Sequence, residues 1–313
     1  MIEAPGQAVV ATATRPDPGP GQVLLRLEGS GVCASSLPLW EGRSWFDYPQ
    51  APGAPGHEGW GRIVAVGDGV LDLREGQRVA ALTYRAHAEY DIADAGAVVP
   101  LPASLDGVAM PGEPLGCAVN IFGRSGIEAG QTVAIVGIGF LGALLTQLAS
   151  HAGARVIAIS RRPYSLDVAR AAGAAETIVM DDHGRVVDAV RQLTSGRWCE
   201  RVIEAVGLQW PLDLAGDITG ERGRLVIAGY HQDGPRQVNM QQWNWRGIDV
   251  VNAHERDPQR YVDGMRAAVD LMAAGVLDPT PLFTHRFPLD RLGEALELTR
   301  QRPDGFMKAL VTA

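Results

Sequence analysis

Gln131-Thr-Val-Ala-Ile-Val-Gly-Ile-Gly-Phe-Leu-Gly142 decides how this chain is read. Val133–Val136 is an apolar, largely β-branched run of the kind that makes a strand buried on both faces, and Leu141–Leu148 has the look of a helix. Gly137, Gly139 and Gly142 lie between them. In a tight strand-to-helix turn the first glycine takes the turn, the second lets backbone approach a pyrophosphate, and the third lets helix pack on strand. Gly139, Phe140 and Leu141 would then offer free N–H groups and the positive end of the helix dipole to phosphate. Three glycines alone are a weak signal, and the residues around them decide the matter.

Downstream, apolar runs and helical patterns alternate. Strands are predicted at Arg155–Ile159, Thr177–Val179, Arg201–Glu204 and Gly223–Ile227, with a last one at Asp249–Val251. Helices are predicted at Leu141–Ala152, Ser165–Ala172, Gly184–Leu193 and Trp210–Ile218. Strands separated by helices of this length imply a doubly wound parallel sheet over 118–252, an α/β arrangement. Residues 1–117 read differently, as short apolar runs (Val23–Leu27, Ile63–Val66, Arg78–Leu82) set between Gly, Pro and Asp turns, which is a β-rich pattern. The tail, 253–313, holds an amphipathic helix at Pro258–Ala274, a second at Leu289–Arg300 and a short strand at Lys308–Val311. Those pieces are too few for a domain of their own and are expected to rejoin the first.

Composition narrows the function. The 313 residues are 46% apolar, enough for two cores, and the net charge of −8 disfavours nucleic acid or an anionic membrane as the main partner. No segment approaches the ~18 unbroken apolar residues of a membrane span, and Met1-Ile-Glu-Ala-Pro is not a signal peptide. A cytoplasmic protein is expected. Cys33, Cys117 and Cys199 are too few and too scattered for a disulfide framework.

Two segments bring metal-binding types together: Gly31-Val-Cys-Ala-Ser-Ser36 and Pro55-Gly-His-Glu58. Cys33 and His57 are the thiolate and imidazole that zinc prefers, but a third ligand must come from elsewhere. Cys117, Glu58 and Glu113 are the candidates. Three protein ligands would leave the fourth position open to an alcohol or carbonyl oxygen. The plain alternative is that a lone cysteine is a small buried hydrophobe. His231, His254 and His285 carry no motif, and Trp40, Trp45, Phe46, Tyr48 and Tyr84 are either core or pocket walls.

In order along the chain, Gly31-Val-Cys33, Pro55-Gly-His-Glu58, Gly76-Gln-Arg-Val79, Glu113-Pro-Leu115, Gly137-Ile-Gly-Phe-Leu-Gly142 and Val202-Ile-Glu-Ala-Val-Gly207 resemble the medium-chain dehydrogenase/reductase superfamily, in its zinc-dependent alcohol and polyol dehydrogenase branch. The resemblance implies a GroES-like β-rich catalytic domain (1–117 and 253–313) joined to a Rossmann cofactor domain (118–252), with the site in the cleft. It implies an enzyme moving a hydride between a nicotinamide cofactor and a small-molecule alcohol, ketone or aldehyde, as a homodimer or homotetramer. Cys33 and His57 take the first two zinc-ligand positions. Cys117 matches the third ligand of alcohol dehydrogenases and is put first, while polyol-type members use the positions of Glu58 or Glu113. Ser35 falls on the hydroxyl that relays the substrate proton. Lys308 lies near a basic residue that reaches the cofactor pyrophosphate, with Glu58 expected to face it.

The chain also departs from the pattern. Ser36 replaces the aspartate that supports the zinc-bound histidine, Pro38 replaces a relay histidine, and the four-cysteine lobe for structural zinc is missing, so one catalytic zinc is expected. Ser160-Arg-Arg162 stands where NAD-binding members have an acidic residue. Arginine suits a 2′-phosphate, so Ser160, Arg161 and Arg162 predict NADP(H). The competing expectations are a zinc-free NADPH-dependent reductase of the same superfamily acting on an activated double bond, and a non-catalytic cofactor-binding relative.

Overall fold

A computed structural model describes residues 1–312. Ala313, the last residue of the predicted catalytic-domain tail, lies outside the described residues. The first unit comprises Met1–Cys117 together with the chain from Asp257 on, and the second comprises Ala118–Arg256.

In the first unit a small hairpin, β1 (Ile2–Ala4) and β2 (Gln7–Ala8), precedes β3 (Gln22–Gly31), the short helix α1 (Leu37–Trp40), β4 (Gly59–Val66), β5 (Arg78–Ala81), β6 (Tyr90–Asp94) and β7 (Val98–Pro100). Helix α2 (Gly112–Ser125) then runs across the unit boundary. Alternation along β3 sends Val23, Leu25 and Leu27 into one apolar cluster with Ile63, Val79 and Ala81. Fully burying each of the valine, leucine and isoleucine side chains contributes about 1.5–3 kcal/mol.

The second unit contains β8 (Thr132–Val136), α3 (Phe140–His151), β9 (Arg155–Ser160), α4 (Pro163–Ala171), β10 (Glu176–Val179), α5 (His183–Leu193), β11 (Cys199–Glu204), α6 (Gln209–Ile218), β12 (Thr219–Ile227), α7 (Met240–Arg246) and β13 (Asp249–Asn252). All its strands are parallel, in the order β10-β9-β8-β11-β12-β13. Sequence order therefore reverses between β8 and β11. Ala134, Val136, Ile157, Ile159, Val202 and Leu225 pack with Val186, Val190 and Leu212 of the helices. Such a sheet, covered on both faces, reads as continuous apolar strands rather than alternating ones. β12 begins four residues before the predicted Gly223, because a register irregularity after Cys199 lets Thr219 pair early.

The tail returns to the first unit through α8 (Pro258–Ala273), β14 (His285–Pro288), α9 (Leu292–Gln301) and β15 (Ala309–Thr312). Asp257 caps α8 by accepting from the Gln259 N–H at 3.0 Å, and Val262, Met265, Val269 and Met272 form its buried stripe. β15 pairs antiparallel with β3, setting Leu310 opposite Gly31. Among the described residues no helix is long and apolar enough to cross a membrane.

Candidate active site

Strand pairing assembles the metal-type residues. β3 and β4 run antiparallel with Ser30 opposite Gly59, and the Gly31 N–H donates to the Glu58 carbonyl at 3.2 Å. The residues just after β3 and just before β4 consequently share one end of the sheet. There the ligand atoms of Cys33, His57 and Glu58 lie within 4.8 Å of one another. His57 Nδ1 is 2.9 Å from the Pro55 carbonyl, which only accepts, so Nδ1 carries a proton and Nε2 is the nitrogen turned toward the cluster. Ser36, which replaces the family's supporting aspartate, is buried, and the Pro55 carbonyl supplies an orienting acceptor. Ser35 Oγ donates to Cys33 Sγ at 3.1 Å and lies 3.4 Å from His57 Nε2, so one hydroxyl spans both ligand atoms.

Glu58 is fully buried and Lys308 is 5% exposed; Lys308 Nζ lies 2.7 Å from Oε1 and 2.6 Å from Oε2 of that carboxylate. Only the contact to Oε1 has hydrogen-bond geometry, which leaves Oε2 ion-paired but accepting no hydrogen bond. Gly31 makes room for the pair, since a Cβ there would sit 1.8 Å from Glu58 Oε2. Glu58 thus faces Lys308, the pairing the sequence suggested. Burial lowers the pKa of the ammonium, but the Glu58 carboxylate and Cys33 outweigh it and hold that pKa above the ordinary value.

Glu113 and Cys117 sit four residues apart on α2 and face each other, with Cys117 Sγ donating to Glu113 Oε1 at 3.1 Å. Cys117, put first as third ligand on sequence grounds, is therefore outside the close cluster, and Glu58 is inside it. Burial first, then the neighbouring Glu113, push the Cys117 thiol well up, and burial likewise raises Glu113. Burial lowers His57, yet Cys33, Glu113 and Glu58 outweigh it and push the imidazole up to about 10. Negative groups converge here on a place for positive charge.

One residue of this neighbourhood escaped the sequence. His87, 4% exposed, follows β5, and because Gly59 is opposite Ala81 its loop lies beside the segment carrying His57. Its N–H donates to the Gly53 carbonyl at 3.0 Å, while Nδ1 has no hydrogen-bond partner. Nothing in its spacing marks it; only the β4–β5 pairing does. The aromatic residues divide. Trp40 is core, Phe46 and Tyr48 pack on the same cluster, and Trp45 and Tyr84 are exposed.

In the second unit the three glycines meet different surroundings. Gly137 has φ +100° and lies against Val206, where a Cβ would come within 2.4 Å of the Val206 methyl. A Cβ at Gly142 would sit 2.1 Å from the Gly137 carbonyl oxygen, so α3 leaves the sheet at backbone contact distance. At Gly139 a Cβ would meet nothing within 4 Å, which leaves open space in front of the α3 N-terminus. Phe140 and Leu141 form its first turn. Ser160 closes β9 and is 6% exposed. Arg161 is exposed and makes no hydrogen bond or ion pair among the described residues, and Arg162 caps α4.

A family model described as an alcohol dehydrogenase GroES-like domain matches residues 19–187, more than half of the chain, and one described as a zinc-binding dehydrogenase matches residues 141–273. The chain belongs to the medium-chain dehydrogenase/reductase superfamily. Within that superfamily it is similar to sorbitol dehydrogenase of Gallus gallus, at 28% identity with 91% of this chain and 88% of that protein covered. L-threonine 3-dehydrogenase of Bacillus licheniformis is 26% identical, covering 96% of this chain and 95% of its own. Among solved structures, a zinc-binding dehydrogenase from Sinorhizobium meliloti 1021 bound to NADP superposes with a TM-score of 0.84 at 26% identity, covering 99% and 97% of the two chains. The superfamily's GroES-like and Rossmann components correspond to the mainly antiparallel sheet of the first unit and the parallel sheet of the second.

Proposed function

We propose that this superfamily member is a zinc-assisted oxidoreductase that transfers a hydride between NADP(H) and a small alcohol, ketone or aldehyde. The observation that carries it is the Cys33–His57–Glu58 cluster spanned by Ser35. Its donors fit zinc: a sulfur, an imidazole nitrogen whose partner nitrogen is already committed to Pro55, and a carboxylate oxygen accepting no hydrogen bond. Zinc held there would act as a Lewis acid, polarising a carbonyl or favouring the deprotonated alcohol.

The chain's own groups do the rest. Pro55 fixes the His57 tautomer, Lys308 balances the buried charge of Glu58, and Ser35 stands where its half-buried hydroxyl can pass a proton between substrate and solvent. Glu58 takes precedence over Cys117 as third ligand, because the Cys117 thiol is occupied by Glu113. This donor set counts against a zinc-free reductase. Elemental analysis of protein purified without chelator should find about one zinc per chain, and Cys33→Ala should lose it together with activity. Full activity in metal-free protein would end the proposal.

For the cofactor, the hydroxyl of Ser160 and the unpartnered guanidinium of Arg161 favour a 2′-phosphate. NADPH should bind about 10–100-fold more tightly than NADH, the worth of one charge-assisted hydrogen bond. Titrating both cofactors into wild type, Arg161→Ala and Ser160→Asp should show the preference shrinking in the first variant and reversing in the second. Tighter NADH binding by wild type would reject NADP. The free thiols fit the reducing cytoplasm. A homodimer belongs to the same proposal. β13 is an edge strand that carries exposed Val250 and follows exposed Met240 and Trp245 of α7, whereas the opposite edge, β10, carries Glu176 paired with Arg155 and Thr177 bonded to Arg170.

A further inference from the structure

At the carboxyl ends of β11 and β12 a buried carboxylate joins two loops. Glu204 is 0% exposed; its Oε1 accepts the Val206 and Gly207 N–H groups at 2.7 and 2.8 Å, and its Oε2 accepts from His231 Nε2 at 3.0 Å. Arg236 Nε donates to His231 Nδ1 at 2.9 Å, which fixes His231 as the neutral tautomer with its proton on Nε2. The same guanidinium donates to the Gly207 carbonyl at 2.9 Å and to Asp233. Gly229 must be glycine, because a Cβ would lie 2.2 Å from Gly207 N and 2.6 Å from Glu204 Oε2. The segment after β12 is thereby tied to the turn after β11, and Val206 of that turn packs on Gly137 of the glycine turn after β8. Tyr230 and His254, which follow β12 and β13, stack with ring centroids 5.4 Å apart.

Ligands of doubly wound sheets bind outside the carboxyl ends of the strands, at the reversal of strand order, here between β8 and β11. Ser160 and Arg161 end β9 on one side of that reversal and take the adenosine half in the proposed function. The β11–β13 side, where the Glu204 network lies, then faces the other mononucleotide. We infer that Glu204, His231 and Arg236 are positioning residues that hold residues 228–238 in place as a wall for the nicotinamide mononucleotide half of the cofactor. None of the three needs to touch the cofactor. Each acts through the backbone of Ala205–Gly207 and Ala228–Tyr230. Without the relay, that segment would have to be ordered by the cofactor itself, and binding would bear the entropy of doing so.

The inference rests on the cofactor assignment above, so the experiment separates the two. Wild type, His231→Leu, His231→Gln and Arg236→Met are titrated with NADPH, with NADH, and with 2′,5′-ADP and ADP, which lack the nicotinamide nucleotide. His231→Leu and Arg236→Met should lose about tenfold or more in affinity for the preferred dinucleotide, the equivalent of one hydrogen bond to a charged group, and keep their affinity for the matching fragment. His231→Gln, whose amide can donate to Glu204 and accept from Arg236, should retain most of the wild-type affinity for both. Equal losses for dinucleotide and fragment, or no loss for either, would overturn the positioning role with the cofactor assignment intact. Wild type that binds no dinucleotide and no fragment would overturn both.

Discussion

Two imidazoles a short distance apart are driven in opposite directions. His57 is raised to about 10 by the acids and thiol around it, whereas His87 is lowered to about 3, by burial first and then by the positive charges of His57 and Lys308. In the unfolded chain His87 titrates near the ordinary histidine value of 6.5. Above that pH it is neutral in both states and contributes no slope. Below it the unfolded chain takes up a proton that the folded chain refuses, so stability falls as pH drops from 6.5 toward 3, by about 1.4 kcal/mol per unit at most. His87→Phe, which needs no proton, should flatten that part of the stability curve in urea titrations; a slope equal to wild type would show that His87 is not held neutral. Cys33 and His57 were legible in the sequence because their residue types and order form a motif. His87 was not, since what brings it beside His57 is the antiparallel pairing of β4 with β5, and that pairing is written in no local pattern.

Elements announce themselves to different degrees, and the glycine turn is the one whose parts can be tested separately. Gly142→Ala would push a methyl to within 2.1 Å of the Gly137 carbonyl and lift α3 from β8, so a clear drop in Tm is expected, of the ~1–3 kcal/mol that overpacking brings. Gly139→Ala meets nothing, and its φ of −97° suits alanine. That variant should keep its Tm and lose dinucleotide affinity, because the added methyl occupies the space a pyrophosphate would use. A Gly139→Ala protein that binds cofactor normally would show that no phosphate comes close there. The alternation of β8 to β12 with α3 to α6 was readable because each strand contains an apolar stretch and turn residues stand between the elements. β14 was missed because His285-Arg-Phe-Pro288 has one large apolar side chain and becomes a strand only by pairing with β15. α2 was missed for a related reason. Its Gly112, Pro114 and Gly116 weaken the helical signal, yet a Cβ at Gly116 would stand 2.7 Å from Met265 N, so glycine is what lets α2 approach α8.

At the scale of the whole molecule the family and the fold class were carried by ordered motifs spread over nearly the full length, which no single element could have shown. Assembly depends on surface instead. If β13 pairs with its counterpart in a second copy, Trp245, 89% exposed in the single chain, is covered. Trp245→Glu should then sediment as a monomer where wild type sediments as a dimer, and a monomeric wild type would dismiss the dimer. Composition has a last consequence at this scale. Of 28 basic residues Lys308 is the one lysine, and it is buried against Glu58 with its proton held tightly. An acylating reagent therefore finds no reactive side-chain amine while that ion pair stands, and a single added mass at Lys308 becomes a clock for its opening. Tagging, cross-linking or immobilising this protein through lysine would select for molecules whose site has already come apart.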